Sequence, residues 1–329
     1  MNQPIFEACS LRKWFPVRNS ILGKAKEFVK AVDNVNLKVY EGEVLGIVGE
    51  SGCGKSTLIR TMMKLIPCTS GSISFNGTDV TNSHGAMLKD FRRNVQIVFQ
   101  DPYASLNPRQ KVGEMLKEAI ELGNKSNLER DNITNNMIQL LNLVGLSADA
   151  LDKYPHEFSG GQRQRVCIAR ALAVKPKVLM CDECVSALDV SIQAQIINLL
   201  MRLKKEMGLT VIFISHDLRV IRHISDYVAV MYLGKIVEYA SNEELFRHPS
   251  HPYTKALLST IPSVHSQAVP KPIVLKGDIP SPIHVPLGCP FHTRCWMAKA
   301  ECKHIVCKVF DSEKKHFSAC PFLKGDSIE

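Results

Sequence analysis

The chain contains short apolar runs of strand length, separated by longer segments of mixed polarity. Val44–Val48 and Val211–Ile214 are two such runs, and a third begins at Val178 and ends in Asp182 and Glu183. Apolar runs of this length are typical of strands buried on both faces of a parallel sheet. A membrane-spanning helix needs about 20 apolar residues. The pattern therefore predicts the strands of a buried sheet and a chain that does not span a bilayer.

Segments with helical periodicity lie between these runs. In residues 191–208 one face of the predicted helix is apolar, and the apolar run at 210–214 follows. The residues on that face are Ile192, Ile196, Leu199, Leu203 and Met207. This succession predicts β-α-β winding, with the apolar face against the core. Two more amphipathic stretches, 111–123 and 135–146, predict a helical insertion over about residues 101–172.

The composition changes beyond Leu245. Prolines recur through residues 270–286, and proline removes the backbone donor and the conformational freedom that a helix needs. We therefore predict three parts. They are a main domain over residues 5–250, a proline-rich linker and extension over 251–288, and a cysteine-bearing C-terminal module over 289–329.

Composition and charge narrow the class of protein. An apolar content of 45% in 329 residues is ordinary for a globular chain with a packed core. The net charge is +9, but the 41 basic residues are dispersed, which favours a solvated basic surface over a nucleic-acid-binding one. The first residues, MNQPIFEACS, have neither the charged leader nor the apolar stretch of a signal peptide, so we expect a cytoplasmic location.

Candidate chemistry begins directly after the first apolar run. Residues 44–57 read VLGIVGESGCGKST, which places a glycine-rich loop between a strand and a helix. Its glycines are Gly49, Gly52 and Gly54. They allow successive backbone N–H groups to face an anion at a helix N-terminus. In a phosphate-binding loop of this type, Lys55 reaches the β- and γ-phosphates and the Ser56 hydroxyl coordinates Mg²⁺.

The apolar strand that ends in two carboxylates supplies the complementary groups. At the carboxyl end of a parallel strand, Asp182 faces a Mg²⁺ site directly or through water. Glu183 lies where it can accept a proton from an attacking water molecule. Together with the glycine-rich loop, this pair predicts a nucleotide hydrolase and leaves ATPase and GTPase as alternatives.

A second glycine-rich turn opens another helix. Residues 158–165 read FSGGQRQR and precede the helical segment VCIARALAV, so the chain holds two anion-binding helix starts. One nucleotide site needs one phosphate cradle, so the second indicates a nucleotide that lies between two molecules, each supplying half of the site. The combination resembles the nucleotide-binding subunits of ABC transporters, whose signature sequence LSGGQ is here FSGGQ.

The resemblance extends over about residues 5–262, with the motifs in the family order. It implies an α/β P-loop NTPase (ABC ATPase) core with an N-terminal antiparallel β-subdomain, a helical signature subdomain and a small irregular C-terminal metal-binding extension. Gln100 matches the Q-loop glutamine, Ser186–Asp189 the D-loop, and His216 the switch histidine that contacts the γ-phosphate. The resemblance thus implies Glu183, His216 and Gln100 as the catalytic residues.

The resemblance also implies ligand sets. Mg²⁺ would be held by Ser56, Gln100 and Asp182. In this family an aromatic ring near the N-terminus stacks on adenine, and the alignment favours Phe15 over Trp14, although either ring could instead pack within the β-subdomain. The nucleotide contacts implied are Gly49, Ser51, Gly52, Cys53, Gly54, Lys55, Ser56, Thr57 and Asp182 of one subunit, with Ser159, Gly160, Gly161 and Gln162 of its partner.

One position departs from the family pattern. A proline usually follows the catalytic glutamate, and this chain has Cys184 there. The change removes a backbone constraint beside Glu183. Because Asp182, Glu183 and His216 are all present, we expect hydrolysis to be retained.

Five of the eleven cysteines lie at or beyond Cys289. Disulfides are rare in a reducing compartment, and four thiolates suit Zn²⁺ or a [4Fe–4S] cluster, so a soft metal centre and reduced or disulfide-forming thiols are the alternatives. The tail resembles the C-terminal extension of oligopeptide and dipeptide transporter ATPases, which in relatives carries a [4Fe–4S] cluster. The resemblance implies Cys289, Cys295, Cys302 and Cys320 as its ligands, with Cys307 left over and a structural role for the cluster.

Motifs and tail together predict an ATPase that powers the import of dipeptides or oligopeptides across the bacterial inner membrane. The implied partners are a second ABC ATPase, two transmembrane permeases and an extracytoplasmic peptide-binding protein, without nucleic acid, at the cytoplasmic face of the membrane. The loop Leu22–Glu27 favours the second ATPase type of a heterodimer. Nickel or glutathione import, a soluble non-transport ABC ATPase and a regulatory protein built around the metal cluster are the alternatives.

Overall fold

A computed structural model describes residues 3–17, 27–123, 130–261, 272–305, 307 and 316–322. Most of the loop at 22–27, on which the choice of ATPase type depends, lies outside these residues. The chain forms two compact units: a first unit of Met1–Thr81 with Ser215–Glu329, and a second unit of Asn82–Ile214. In the part of the chain that the structure describes, no helix has the length and apolar character needed to cross a membrane.

The elements are numbered along the chain. The strands are β1 (Phe6–Val17), β2 (Glu27–Val39), β3 (Val44–Val48), β4 (Ser70–Phe75), β5 (Thr78–Asp79), β6 (Val95–Val98), β7 (Val178–Asp182), β8 (Thr210–Ile214), β9 (Tyr227–Tyr232), β10 (Lys235–Ser241) and β11 (His316–Ser318). The α-helices are α1 (Lys55–Met62), α2 (Gly85–Asn94), α3 (Pro102–Ser105), α4 (Val112–Gly123), α5 (Arg130–Leu143), α6 (Gly160–Ala173), α7 (Val190–Met207), α8 (Leu218–Ile224), α9 (Asn242–Arg247) and α10 (Pro252–Ser259).

The first unit contains an antiparallel sheet in the order β2-β1-β4-β5. The register places Phe6 of β1 opposite Val39 of β2 and opposite Phe75 of β4. Phe6 and Ala8 of β1 are fully buried, while Glu7 between them is partly exposed, as in a sheet with one covered face. This sheet is the N-terminal antiparallel β-subdomain that the resemblance implies.

The strand that leads into the glycine-rich loop lies in a second group of strands of the first unit. β3 is parallel to β9, β9 is antiparallel to β10, and β10 is antiparallel to β11. All five residues of β3 are buried, as its apolar run predicts. β11 belongs to the C-terminal extension, and its buried Phe317 lies opposite Tyr239 of β10. The extension, predicted to be irregular, thus contributes one short strand.

The second unit is built on three parallel strands in the order β8-β7-β6. β7 and β8 are buried along their whole length, which agrees with the two-sided burial predicted from their apolar runs. The predicted stripe of α7 faces inward, because Ile196, Leu199 and Leu203 are buried, whereas Ile192 and Met207 are half-buried. Helices α3 to α6 lie between residues 102 and 173, in the segment predicted to be a helical insertion.

The proline-spaced segment runs along the first unit without regular structure. Residues 272–286 form neither helix nor strand. The carbonyl of Pro282 accepts a hydrogen bond of 3.1 Å from the backbone N–H of Lys30 in β2. The segment therefore leads the chain along the β-subdomain toward the C-terminal cysteines.

Candidate nucleotide-binding site

The P-loop connects β3 to α1 in the first unit, and two of its glycines lie close to neighbouring backbone. Gly49 and Gly54 have φ values of 155° and 108°. A Cβ atom at Gly54 would lie 2.0 Å from the carbonyl oxygen of Ala31, and one at Gly49 would lie 2.2 Å from that of Met231. Because any side chain at these two positions would push the strands apart, the loop requires glycine at both.

Lys55 is the first residue of α1, and its ammonium group points back into the loop. Its Nζ donates to the carbonyl oxygens of Gly49 at 2.7 Å and Glu50 at 3.0 Å, and the residue is 4% exposed. Ser56 and Thr57 follow in the first turn of α1, where backbone N–H groups have no partner within the helix. A cation and a helix N-terminus at the same place form a phosphate site.

Apart from Glu50, the other P-loop side chains are small or neutral. Ser51 and Gly52 are exposed at the tip of the loop, and Cys53 is buried beneath it. Burial raises the pKa of Cys53, so this thiol stays neutral beside the Lys55 ammonium group, whose Nζ lies 3.9 Å from its Sγ. The loop therefore presents positive charge and N–H groups to an anion.

His216 lies in the first unit directly after a contact with the P-loop strand. The backbone N–H of Ser215 donates to the carbonyl of Ile47 in β3 at 3.2 Å. On the other side, Asp217 caps α8 by accepting from the N–H of Arg219 at 2.8 Å. The Arg219 guanidinium, and to a smaller extent His216, hold the pKa of Asp217 below its usual value. The backbone is thus fixed on both sides of the exposed His216 side chain.

The second unit brings Gln100, Glu183 and Ser186 together. Gln100 Nε2 donates to Glu183 Oε2 at 3.2 Å and to Ser186 Oγ at 3.3 Å. Ser186 Oγ in turn donates to the Glu183 carbonyl at 2.9 Å. Asp182 ends β7 and is 2% exposed. Two residues predicted to be catalytic, 83 positions apart, therefore share a hydrogen bond at the end of a buried strand.

The backbone of Glu183 adopts an uncommon conformation. Its φ is 48°, in the left-handed region that non-glycine residues seldom occupy. Its N–H donates to the carbonyl of Ile214 in β8 at 3.2 Å. Conformations of this kind concentrate at functional sites, where the surrounding structure holds them in place.

Cys184 occupies the position where the family has proline, and it is part of the core. It is 1% exposed, and its thiol is hydrogen-bonded to that of Cys181 in β7. This hydrogen bond and burial raise the pKa of Cys181 well above its ordinary value, so Cys181 stays a neutral thiol. The substitution therefore places a small apolar side chain in a packed position behind Glu183.

The signature sequence forms the start of α6 in the second unit. Ser159 Oγ accepts from the Gln162 N–H at 3.3 Å, and Gln162 Oε1 accepts from the Ser159 N–H at 3.0 Å, which is a capping box. Ser159 and Gly160 are exposed. Gly161 is buried, and a Cβ there would lie 2.5 Å from Cγ2 of Ile192. The start of this helix is therefore open to a group on another molecule.

The aromatic residues considered for adenine lie on β1 and differ in their surroundings. The Phe15 side chain is 38% exposed, and Lys13 Nζ lies 4.9 Å from its ring centroid. Trp14 is half-buried, with its ring centroid 6.3 Å from that of Phe28. An exposed ring is available for stacking, and the choice of Phe15 over Trp14 stays a prediction.

The C-terminal cysteines lie near one another as thiols and not in disulfides. A cavity of about 120 Å³ is lined by the four predicted ligands Cys289, Cys295, Cys302 and Cys320. Cys307, predicted to be left over, hydrogen-bonds the Cys289 thiol, which raises the pKa of Cys289 and lowers that of Cys307. Among the described residues no three His, Cys, Asp or Glu side chains are placed to hold a metal ion. Within the described residues the structure therefore does not show the predicted metal-binding site.

Two residues that contact the P-loop were not predicted from the sequence. Tyr253 Oη accepts a hydrogen bond of 2.8 Å from the N–H of Glu50, and Arg294 forms an ion pair with the Glu50 carboxylate. The Glu50 carboxylate raises the pKa of Arg294 above its usual value. No local pattern marks these residues, since both lie about 200 or more positions from Glu50.

Comparisons with known proteins agree with this geometry. The family described as "ABC transporter" matches residues 32–186, and the one described as "Oligopeptide/dipeptide transporter, C-terminal region" matches residues 237–302. The oligopeptide transport ATP-binding protein AppF of Bacillus subtilis is 49% identical over 97% of both chains. The dipeptide transport ATP-binding protein DppF of Haemophilus influenzae is 45% identical over 92% of this chain and 91% of its own.

A solved structure shows the same fold. The dimeric ATP-binding cassette MJ0796, bound to ADP and Pi in a post-hydrolysis state, superposes with a TM-score of 0.64. It is 27% identical and covers 72% of this chain and 98% of its own. Fold, motif geometry and relatives agree, and the chain belongs to the ABC transporter family, among the ATP-binding subunits that carry the oligopeptide and dipeptide transporter C-terminal region.

Proposed function

We propose that this chain hydrolyses ATP to power the import of dipeptides or oligopeptides through partner permeases. The observation that carries the proposal is the hydrogen bond between Gln100 and Glu183, which holds a carboxylate in place directly after the buried Asp182. The cargo class rests on the names of the relatives, which are oligopeptide and dipeptide transport ATP-binding proteins.

The P-loop would bind the triphosphate. Its N–H groups and the first turn of α1 would face the β- and γ-phosphates, while the Lys55 ammonium exchanges loop carbonyls for phosphate oxygens. The hydroxyl, amide and carboxylate of Ser56, Gln100 and Asp182 are oxygen donors that suit Mg²⁺, which when bound neutralises charge on the phosphates. Phe15 would stack on adenine.

Glu183 would orient the attacking water molecule and accept its proton. Gln100 contacts Oε2 of the carboxylate, which limits the directions that the base can take. His216 would contact the γ-phosphate and report its loss after hydrolysis. Loss of that charge would let the closed state reopen.

Each nucleotide would lie between two ATPase chains. The exposed Ser159 and Gly160 at the start of α6 would contact ATP that is bound to the P-loop of a partner. The dimeric state of the similar cassette MJ0796 supports this arrangement. We infer a paralogous ATPase as the partner, two transmembrane permeases, and an extracytoplasmic peptide-binding protein, with this chain peripheral to the cytoplasmic face of the inner membrane.

We also propose that the C-terminal cysteines hold a [4Fe–4S] cluster. The support is the donor chemistry, because four thiols line one cavity, and thiolates are the usual ligands of such clusters. The ligands would be Cys289, Cys295, Cys302 and Cys320, and Zn²⁺ is the alternative occupant. ATP hydrolysis requires no electron transfer, so a cluster here would support the structure of the extension.

The function is tested in proteoliposomes that contain the chain, its partner ATPase, the two permeases and the peptide-binding protein. Glu183→Gln keeps the shape of the side chain but removes the base, so we expect ATP binding to persist and ATP turnover to fall at least about 100-fold. Peptide-loaded binding protein should stimulate the wild-type ATPase activity.

The matched control is Glu206→Gln, which changes an exposed glutamate on α7. It should leave turnover unchanged. Unaltered turnover in Glu183→Gln would remove Glu183 from the role of base, and stimulation by nickel or glutathione in place of peptide would overturn the cargo class.

A further inference from the structure

We propose that Arg294 is a positioning residue for the P-loop, which couples the cysteine-bearing C-terminal segment to ATP affinity through a paired contact with Glu50. This proposal rests on the proposed function, since it assigns the P-loop to ATP. It goes further by giving the C-terminal extension a part in nucleotide binding.

The contact joins the extension to the second residue of the loop. Arg294 Nη1 lies 2.7 Å from Glu50 Oε2, and Nη2 lies 3.1 Å from Oε1. The Arg294 side chain is 7% exposed and that of Glu50 is 27% exposed. Two parallel N–H···O bonds fix orientation as well as distance, and a guanidinium is the side chain that forms such a pair.

Glu50 is held at its main chain as well as at its side chain. Its N–H donates to Tyr253 Oη at 2.8 Å, and its carbonyl accepts from the Cys53 N–H at 3.3 Å. The same carbonyl accepts from Lys55 Nζ at 3.0 Å. Arg294 therefore fixes the residue against which the phosphate-binding lysine rests.

Arg294 is itself anchored by the C-terminal segment. Its N–H donates to the carbonyl of Phe291 at 3.0 Å. The Phe291 ring is fully packed, with its centroid 5.2 Å from that of Tyr232 and 5.4 Å from that of Tyr253. The residue after Arg294 is Cys295, which lines the cysteine cavity. Arg294 therefore belongs to the same segment as the residues that line the cysteine cavity.

The charges explain why both partners are needed. Glu50 carries a negative charge within a loop proposed to bind a triphosphate, so an unpaired Glu50 carboxylate would repel the ligand. Arg294 neutralises that charge and restrains the backbone at the same residue. Removal of Arg294 alone therefore weakens ATP binding in two ways. Once the Glu50 charge has been removed, removal of Arg294 has little further effect on ATP binding.

The test measures the Kd of the full-length chain for a non-hydrolysable ATP analogue in the presence of Mg²⁺. It also measures kcat and KM for ATP hydrolysis. Arg294→Ala should raise Kd and KM about tenfold, with kcat within about twofold, because the hydrolytic residues are untouched. Arg294→Lys keeps the charge but loses the two parallel N–H donors of the guanidinium, and should raise Kd about threefold. The matched control is Arg247→Ala, which breaks an exposed ion pair with Glu243 and should change neither constant.

A double-mutant cycle separates this coupling from a general loss of structure. Arg294→Ala introduced together with Glu50→Gln should weaken binding no more than about twofold beyond Glu50→Gln alone. An equal effect of Arg294→Ala with and without Glu50→Gln would overturn the proposal, and so would an unchanged Kd in Arg294→Ala. If Arg294→Ala does not fold, the same comparison of Kd and KM is made with Arg294→Lys and Glu50→Gln.

The proposed function is tested apart from Arg294 by Lys55→Ala. Loss of binding in Lys55→Ala with no effect of Arg294→Ala would overturn only the role of Arg294. Binding that survives Lys55→Ala would instead overturn the assignment of the P-loop to ATP, and with it this inference.

Discussion

At the scale of single residues, one buried ion pair attaches strand β11 to strand β10. Glu238 of β10 is fully buried and accepts from the backbone N–H groups of Ser250 at 2.6 Å and His251 at 2.9 Å. His316 of β11 places its Nε2 2.8 Å from the same carboxylate and its Nδ1 3.5 Å from Glu244. A buried carboxylate is costly without such partners, so the attachment of β11 depends on this histidine.

The stability of the chain should depend on pH through His316. The hydrogen bond to Glu238 raises the pKa of His316, with a smaller contribution from Glu244, against the opposing effect of burial. A raised folded-state pKa contributes stability that is fully present below the unfolded value of about 6.5 and is lost as pH rises through the folded value. His316→Gln should therefore lower the free energy of unfolding by about 1–2 kcal/mol at pH 6 and by less above the raised pKa.

Denaturant titrations of both proteins between pH 5.5 and 9 measure this difference. His223→Gln, at an exposed position of α8, serves as the control. A difference between wild type and His316→Gln that stays constant across the range would contradict the role given to protonation.

At the scale of elements, helix starts decide where several site residues lie. Asp189 of the D-loop accepts from the N–H of Ile192 at 2.9 Å and from Ser191 Oγ at 2.7 Å, and so caps the 18-residue helix α7. Ser159 caps α6 in the same manner. Two motifs that the sequence associates with nucleotide binding thus also fix where helices begin in the second unit.

Replacement of the cap of α7 should cost measurable stability. Asp189→Ala removes the acceptor for the Ile192 N–H and should lower the free energy of unfolding by about 1 kcal/mol. Asp189→Asn keeps a good capping side chain and should retain most of it. Urea denaturation followed by circular dichroism measures both variants, and an equal loss in the two would show that charge, and not capping, is what Asp189 supplies.

The elements also show which features local patterns could predict. The apolar runs of β3, β7 and β8 and the inward stripe of α7 follow from periodicity alone, and the P-loop follows from its glycines at the end of a strand. The Gln100–Glu183 contact needed a family resemblance, since nothing near either residue indicates the other. The ion pair between Glu50 and Arg294 spans 244 positions, and β11 is three residues long, so both depend on tertiary packing that periodicity does not report.

At the scale of the whole molecule, the C-terminal extension is built into the first unit. β11 pairs with β10, Pro282 accepts from Lys30, and Arg294 contacts Glu50. The extension therefore supports the unit that holds the P-loop, and any group bound by its cysteines would stabilise that unit as well.

Metal analysis tests this link between the cysteines and stability. Chain purified without oxygen should contain about four iron atoms, and removal of the iron by a chelator should lower the unfolding midpoint by at least about 2–4 °C. Cys295→Ser should lose iron, whereas Cys9→Ser, at an exposed cysteine of β1, should keep it. Zinc in place of iron would reassign the site, and a wild-type chain free of both metals would refute the cluster.

The first unit is assembled from two segments that are distant in the sequence, and this has a consequence for its folding during synthesis on the ribosome. Residues up to Thr81 leave the ribosome early, but β9, β10 and Arg294 follow only after all of Asn82–Ile214 has been made. At about 5–20 residues per second, that interval is on the order of ten seconds. The second unit is continuous in sequence and can fold during this interval. The P-loop has been synthesised by then, but its neighbouring strand β9 has not. A transcript cut short before Arg294 would thus yield a chain whose phosphate loop never acquires its outer support.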